Sequence, residues 1–319
     1  MAYDLYQVLE LTQDATEKEI KAAFFRLVRK YTPEDHPEKF KEIRKAYETL
    51  RDPKARANYD AMEQSGEAIE QLVVEAREHE EKKNWEEAVR CYKRIVALAP
   101  GLDWAWNALG LCYSYQEDYP NANKIFTRLT ARAGDVAVYW YNYGWINMDL
   151  FNKSEHSGYL SLARKMFEKA HELEPFNSTY PLDIARTYLD SKDYSQALTY
   201  VNKAIAINQE TNFQDMDAYL VKSMIYIGQG QPERVVSIAD EVLAAPGGDL
   251  EFYKYAAYRL AAYGYEFYKS RRYDFAKVYA EAALKLNSES KEIRILFEDS
   301  ELFTNCEREW KLIEKDSSI

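Results

Sequence analysis

The chain has 319 residues, a net charge of −11 and 47% hydrophobic residues, so it can bury a sizeable core but repels a phosphate backbone. Eleven glycines and nine prolines are too few for the many tight turns of a β-sandwich or barrel. No run approaches the roughly 18 apolar residues that span a bilayer.

The N-terminus has no basic segment leading into an apolar core, so no signal peptide is expected. Cys91, Cys112 and Cys306 are far apart and form no CxxC pair, as expected of reduced thiols. These features predict a cytoplasmic protein with no membrane insertion and no nucleic-acid partner. Residues 1–60 carry twelve basic and twelve acidic side chains, so the acidic excess lies beyond them.

The first predicted element is a short amphipathic turn at Asp4–Leu9. Thr16-Glu17-Lys18-Glu19 is a capping box, in which a Thr hydroxyl and a Glu carboxylate satisfy free amides of a first helical turn. Ile20, Ala23, Phe24, Leu27 and Tyr31 then follow at helical spacing, with Lys18, Lys21, Arg26, Arg29 and Lys30 mostly on other faces. Pro33 ends this helix. A second helix presents Phe40, Ile43, Ala46, Tyr47 and Leu50, and Asp52-Pro53 opens a short last helix ending near Asp60.

From Tyr3 to Asp60 this pattern resembles the J-domain (DnaJ-like) family, through YDLYQVLEL, EIKAAFFRLVRKY, FKEIRKAYETL and DPKARANYD. The resemblance implies a helical hairpin and a contact with a DnaK-type heat-shock chaperone. In that family a His-Pro-Asp tripeptide after the second helix stimulates the chaperone's ATPase. The matching residues here are Thr32, Pro33 and Glu34: the histidine is lost and the aspartate is lengthened. His36-Pro37-Glu38 looks like the same motif displaced, but accepting it leaves almost no loop before Phe40. A carboxylate moved by more than an ångström weakens a geometry-sensitive process by orders of magnitude. The basic face that the resemblance aims at a chaperone is Lys21, Arg26, Arg29 and Lys30; an ordinary solvated helix face explains it equally well.

The remaining chain repeats. Trp106-x-x-Leu109-Gly110-x-x-Tyr113 matches the tetratricopeptide-repeat signature, and Trp140 and Gly144 stand 34 residues after Trp106 and Gly110. The register gives six repeats starting near positions 69, 103, 137, 178, 216 and 257, with extra residues Phe151–Ser157 inside the third and a degenerate fifth. A helix from Lys291 caps the last apolar face. The expected fold is all-α: a J-like hairpin domain at 1–62, a repeat α-solenoid at 67–290, and a capping helix and tail at 291–319. A short linker, Met62–Glu67, separates the first two and implies contact between them. Gly110, Ala122 and their equivalents mark the closest helix approaches, and the signature aromatics are structural.

In tetratricopeptide proteins the first helix of each repeat lines a concave groove. The inward positions include Trp104, Asn107 and Leu111, then Tyr141, Trp145 and Met148, then Leu182, Arg186 and Leu189, then Leu220, Met224 and Ile227, and finally Tyr258, Tyr265 and Tyr268. Rigid aromatics there suit a peptide or protein ligand. The carboxylate clamp some family members use for acidic chaperone tails is not matched, since its positions hold Val73, Arg77, Ala108, Val138 and Asn142. No metal-ligand spacing, phosphate loop or nucleophile elbow occurs, so neither a cofactor nor an enzyme activity is expected. The favoured reading is a protein-interaction scaffold with a J-like domain that does not activate a chaperone. The alternatives are a DnaK-type co-chaperone that presents clients held by the repeats, and an assembly or envelope-associated factor using the groove for one specific peptide.

Overall fold

The structure, a computed structural model, describes residues 4–208 and 213–315. Tyr3, where the J-like pattern begins, and the last residues of the expected tail lie outside the described residues. Among the described residues there are sixteen α-helices and no strand. They form two compact units, Met1–Gly134 and Asp135–Ile319.

In the first unit, α1 is Leu5–Val8, α2 Glu17–Lys30 and α3 Pro37–Leu50. The capping box forms as expected: Thr16 Oγ1 accepts from the Glu19 N–H at 3.3 Å, and the Glu19 carboxylate accepts from the Thr16 N–H at 2.7 Å. Ile20, Ala23 and Leu27 of α2 bury against Ile43, Ala46 and Leu50 of α3, and Phe24 stacks on Tyr47 with ring centroids 4.0 Å apart. Helix α4 then clamps α1. The Leu5 N–H donates to the Tyr59 hydroxyl at 3.0 Å, Tyr6 donates its hydroxyl proton to Asp60 at 2.8 Å, and Arg56 donates to the Tyr6 oxygen at 2.8 Å.

Helix α4 does not stop near Asp60. It runs unbroken over Pro53–Glu81, through the residues expected to be a linker. The physical reason is legible: Tyr59, Met62, Gly66, Ile69, Val73 and Ala76 alternate at three- and four-residue spacing, so one helical face continues across. Gly66 alone costs about 1 kcal/mol, which does not break a 29-residue helix. The first half of α4 completes the J-like segment. Its second half buries Ile69, Leu72 and Ala76 and is the first helix of repeat one, paired with α5 (Trp85–Leu98). Repeat two is α6 (Asp103–Tyr115) and α7 (Tyr119–Arg132). The J-like segment does touch the repeats, as expected. Asn58 donates to the Gly101 carbonyl at 3.2 Å, and Lys54 pairs with Asp103 at 2.6 Å, a carboxylate that Arg132 also holds.

The second unit pairs α8 (Ala137–Ser154) with α9 (Ser157–Leu173), α10 (Thr179–Asp190) with α11 (Tyr194–Ile207), α12 (Met216–Gly228) with α13 (Val235–Ala244), and α14 (Leu250–Lys269) with α15 (Tyr273–Leu286). Helix α16 (Lys291–Lys315) closes it, burying Ile293 and Ser300, and Phe303 stacks on Tyr273 at 4.8 Å. Most of the third repeat's extra residues simply lengthen α8.

A backbone signature shows the repeats more evenly than side chains do. Between the two helices of each repeat stands one left-handed residue: Lys83, Glu117, Glu155, Lys192, Gly230 and Arg271. In five of the six, the next residue's N–H reaches back to close the helix: Asn84 to His79, Asp118 to Tyr113, Asp193 to Tyr188, Gln231 to Tyr226 and Arg272 to Phe267, at 2.8–2.9 Å. This is the Schellman closure, which satisfies carbonyls at a helix end. The degenerate fifth repeat has it too.

The close approaches expected at small residues are present. A Cβ on Gly110 would lie 2.5 Å from a Phe126 ring carbon, and one on Gly144 would lie 2.4 Å from Phe167. Both rings are fully buried.

Candidate protein-interaction surfaces

The J-like loop follows directly from its helices. Helix α2 ends at Lys30, so Thr32-Pro33-Glu34 is the tripeptide after it. His36 is the N-cap residue of α3 and Pro37 its first helical residue, so the displaced look-alike serves to start a helix. Thr32 donates its hydroxyl proton to the Asp35 carboxylate at 2.9 Å, and the Asp35 N–H donates back to Thr32 Oγ1 at 3.3 Å. Pro33 and Glu34 are exposed. On the neighbouring face Arg26 pairs with Glu10 at 2.9 Å, and Lys30 lies over the Tyr31 ring at 5.1 Å. Lys21 and Arg29 are exposed and make no ion pair among the described residues.

The inward positions of the repeats separate into several places. In the first unit Trp104 is 43% exposed, and Asn107 and Leu111 are half-buried. In the second, Met148, Arg186, Leu189, Leu220 and Met224 converge around a cleft of about 270 Å³. Met148 is buried and forms its floor. Tyr141 and Trp145 do not line this cleft; they pack inward against Phe167, and Tyr141 also against Tyr180. Both sit beside the carboxylate of Asp183, which is buried and tied through Oδ1 to Arg186 at 2.5 Å. Its Oδ2 has no well-aligned hydrogen bond. Burial raises the Asp183 carboxyl above its ordinary range despite Arg186, and burial with the nearby Asp183 pushes the Tyr141 hydroxyl up to about 12. Arg186 therefore meets the cleft already paired.

Tyr258 and Tyr265, 69% and 52% exposed, line a second and larger cleft between α14 and α16, of about 630 Å³. Tyr268 joins them, and Ile295 and Leu296 form the opposite wall. The contribution of α16 was not read from the sequence, where this helix served only as a cap. The adjacent apolar pair Ile295-Leu296 was the available signal, and Ile295 is 58% exposed.

Comparison with known proteins bears on both segments. Residues 4–60 match the DnaJ domain family, and residues 182–211 match the tetratricopeptide repeat family. The N-terminal segment is 48% identical over 71 residues to the chaperone protein DnaJ of Thermosynechococcus vestitus, covering 21% of this chain and 19% of that protein. It is 47% identical over 77 residues to the DnaJ of Sinorhizobium fredii, covering 21% and 20%. The chain thus spans about a fifth of the length of the curated relatives it matches. Among solved structures, a MamA protein matches with a TM-score of 0.46 at 17% identity, covering 56% of this chain and 92% of that one. The pilF protein of Pseudomonas aeruginosa matches with 0.46 at 16%, covering 74% and 98%. The chain is an all-helical protein of interaction modules. More specifically, it joins an N-terminal DnaJ domain to tetratricopeptide repeats.

Proposed function

We propose that the protein is an adaptor that holds a peptide or protein segment on its repeats and carries a J domain that does not stimulate a DnaK-type chaperone. The observation that carries the first part is the α14–α16 cleft, where two largely exposed tyrosines face apolar side chains of the capping helix. Large aromatics left in water within a cleft are the residues that dominate binding energy once covered. Replacing Tyr258 and Tyr265 together by Ala leaves the buried core untouched. The double variant should lose partners recovered by the intact protein and keep its helical signal; unchanged recovery counts against the cleft.

The second part rests on the loop. Thr32 and Asp35 bond to each other, and Glu34 stands where the family places an aspartate. The chaperone's ATPase rate should be unaffected by micromolar protein, and clear stimulation refutes this half of the proposal. The competing co-chaperone reading draws on the 46–49% identity of this segment to DnaJ proteins and on the exposed basic side chains Lys21 and Arg29. It requires an ATP-dependent complex with the chaperone that Arg26→Ala with Arg29→Ala abolishes.

A further inference from the structure

The chain is strongly acidic, yet one trough in its first unit is lined by no acidic residue. This trough, about 540 Å³, lies between α5 and α7 over α6. Four cations surround it: Lys93 on α5, and Lys124, Arg128 and Arg132 on α7. The α7 residues recur every four positions and so form one stripe of that helix. The floor is apolar, with Val96, Leu109, Ile125 and Leu129 beside the Trp106 indole.

Most of this charge is not neutralised. Arg132 pairs with Asp103, and Lys93 lies over the Tyr113 ring at 5.4 Å without an ion pair. Lys124 and Arg128 are exposed and make no hydrogen bond or ion pair among the described residues.

This is not the concave groove. On α6 the groove positions are Trp104, Asn107 and Leu111, while the trough uses Trp106, Leu109 and Tyr113. An offset of two residues is about 200° around a helix, so the two surfaces occupy opposite faces of α6.

We infer that this trough is a second interaction site, which takes an acidic peptide segment of a partner protein anchored by a short apolar pair. Charge complementarity selects the acid, because the charged side chains lining the trough are all cations and three of the four have no acidic partner among the described residues. The floor selects the anchor, because a bare anion would leave it wet. The volume falls within the range of about 300–1,000 Å³ typical of ligand pockets. A long nucleic acid is disfavoured, since the chain around four cations is acidic overall.

The test titrates the full chain into a fluorescein-labelled octapeptide with a central Phe-Leu flanked by Glu and Asp, read by fluorescence anisotropy. Binding should weaken with salt and fall at least about tenfold in the Lys124→Glu, Arg128→Glu variant. It should fall similarly when Phe-Leu is replaced by Ser-Ser, and persist in the Tyr258→Ala, Tyr265→Ala variant. Lys124→Gln with Arg128→Gln is the milder alternative if charge reversal unfolds the chain, which circular dichroism reports. Absence of binding up to about 1 mM peptide overturns the inference, as does indifference to both pairs of substitutions. Equal affinity for a single-stranded oligonucleotide of matched charge would make the site a general polyanion site and overturn the peptide assignment. Loss of the peptide through the tyrosine variant alone would move it to the cleft, which leaves the adaptor proposal standing and removes this one.

Discussion

Replacing Gly144 by Ala should destabilise the second unit, although alanine is the better helix former. The added methyl would stand 2.4, 2.6 and 2.9 Å from three carbons of the Phe167 ring. Ordinary contact begins near 3.4 Å, so ring and helix must separate by about an ångström. Phe167 has nowhere to go: it is 1% exposed and wedged between Tyr141 and Trp145. Overpacking of this kind costs about 1–3 kcal/mol, and the gain in helix propensity returns at most about 1 kcal/mol. The net loss should be about 1–2 kcal/mol, measured as a lowered midpoint with unchanged slope in urea unfolding of the full chain. Phe167→Leu frees the space, so the double variant should be more stable than the sum of the two single effects by about 1 kcal/mol. If Gly144→Ala equals or exceeds the parent in stability, α8 and α9 are not held at the distance described.

Three further outcomes are expected. Lys192 is exposed and sits at a φ of 60°, so Lys192→Gly should raise stability by about 0.5–1 kcal/mol; a loss in urea unfolding refutes the strain. Arg186→Met strands the buried Asp183 carboxylate and should cost about 3 kcal/mol at neutral pH, the low end for a broken buried pair because Arg186 is itself a third exposed. The folded state holds the Asp183 proton more tightly than the unfolded chain does, so stability is gained as pH falls through the folded pKa. The Arg186→Met deficit should therefore shrink on acidification, and a pH-independent deficit in thermal melts refutes the assignment. His171 is half-buried with Nδ1 unpartnered, and burial first, then Lys203, lower its pKa below the ordinary 6.5. Its contribution is complete above that value and is lost as pH falls below it, so His171→Gln should flatten the pH dependence of melting in that range.

How much of this was legible in the sequence depends on how local the cause is. The capping box at Thr16, the stop at Pro33 and the close approach at Gly110 each rest on one residue's chemistry, and each is where the sequence places it. The continuity of α4 was missed although its stripe was present, because Ser65-Gly66 looks like punctuation when weighed alone. The left-handed residues of the repeat turns were invisible for the opposite reason. Five of the six are Lys, Glu or Arg, which carry no turn signature, and the geometry is imposed by packing on either side. The clefts were only half visible. Periodicity marks which residues face inward, but it cannot tell that Tyr141 and Trp145 turn into the core while Tyr258 and Tyr265 stay in water. The basic trough needed three helices at once: the four-residue spacing of Lys124, Arg128 and Arg132 is visible in the sequence, but that Lys93 and an apolar floor from α6 join them is not.

Helix α4 sets a phase relationship. Each residue of an α-helix advances about 1.5 Å and turns about 100°, so its 29 residues act as a shaft about 43 Å long. The J loop is keyed to one end and the first repeat to the other, with the Asn58–Gly101 and Lys54–Asp103 bonds as a brace against twisting. Whatever meets the loop at Pro33 and Glu34 is thereby presented to the trough and to repeat one at a set bearing. A single residue inserted near Gly66 would turn that bearing by more than a quarter circle while leaving every binding surface chemically intact.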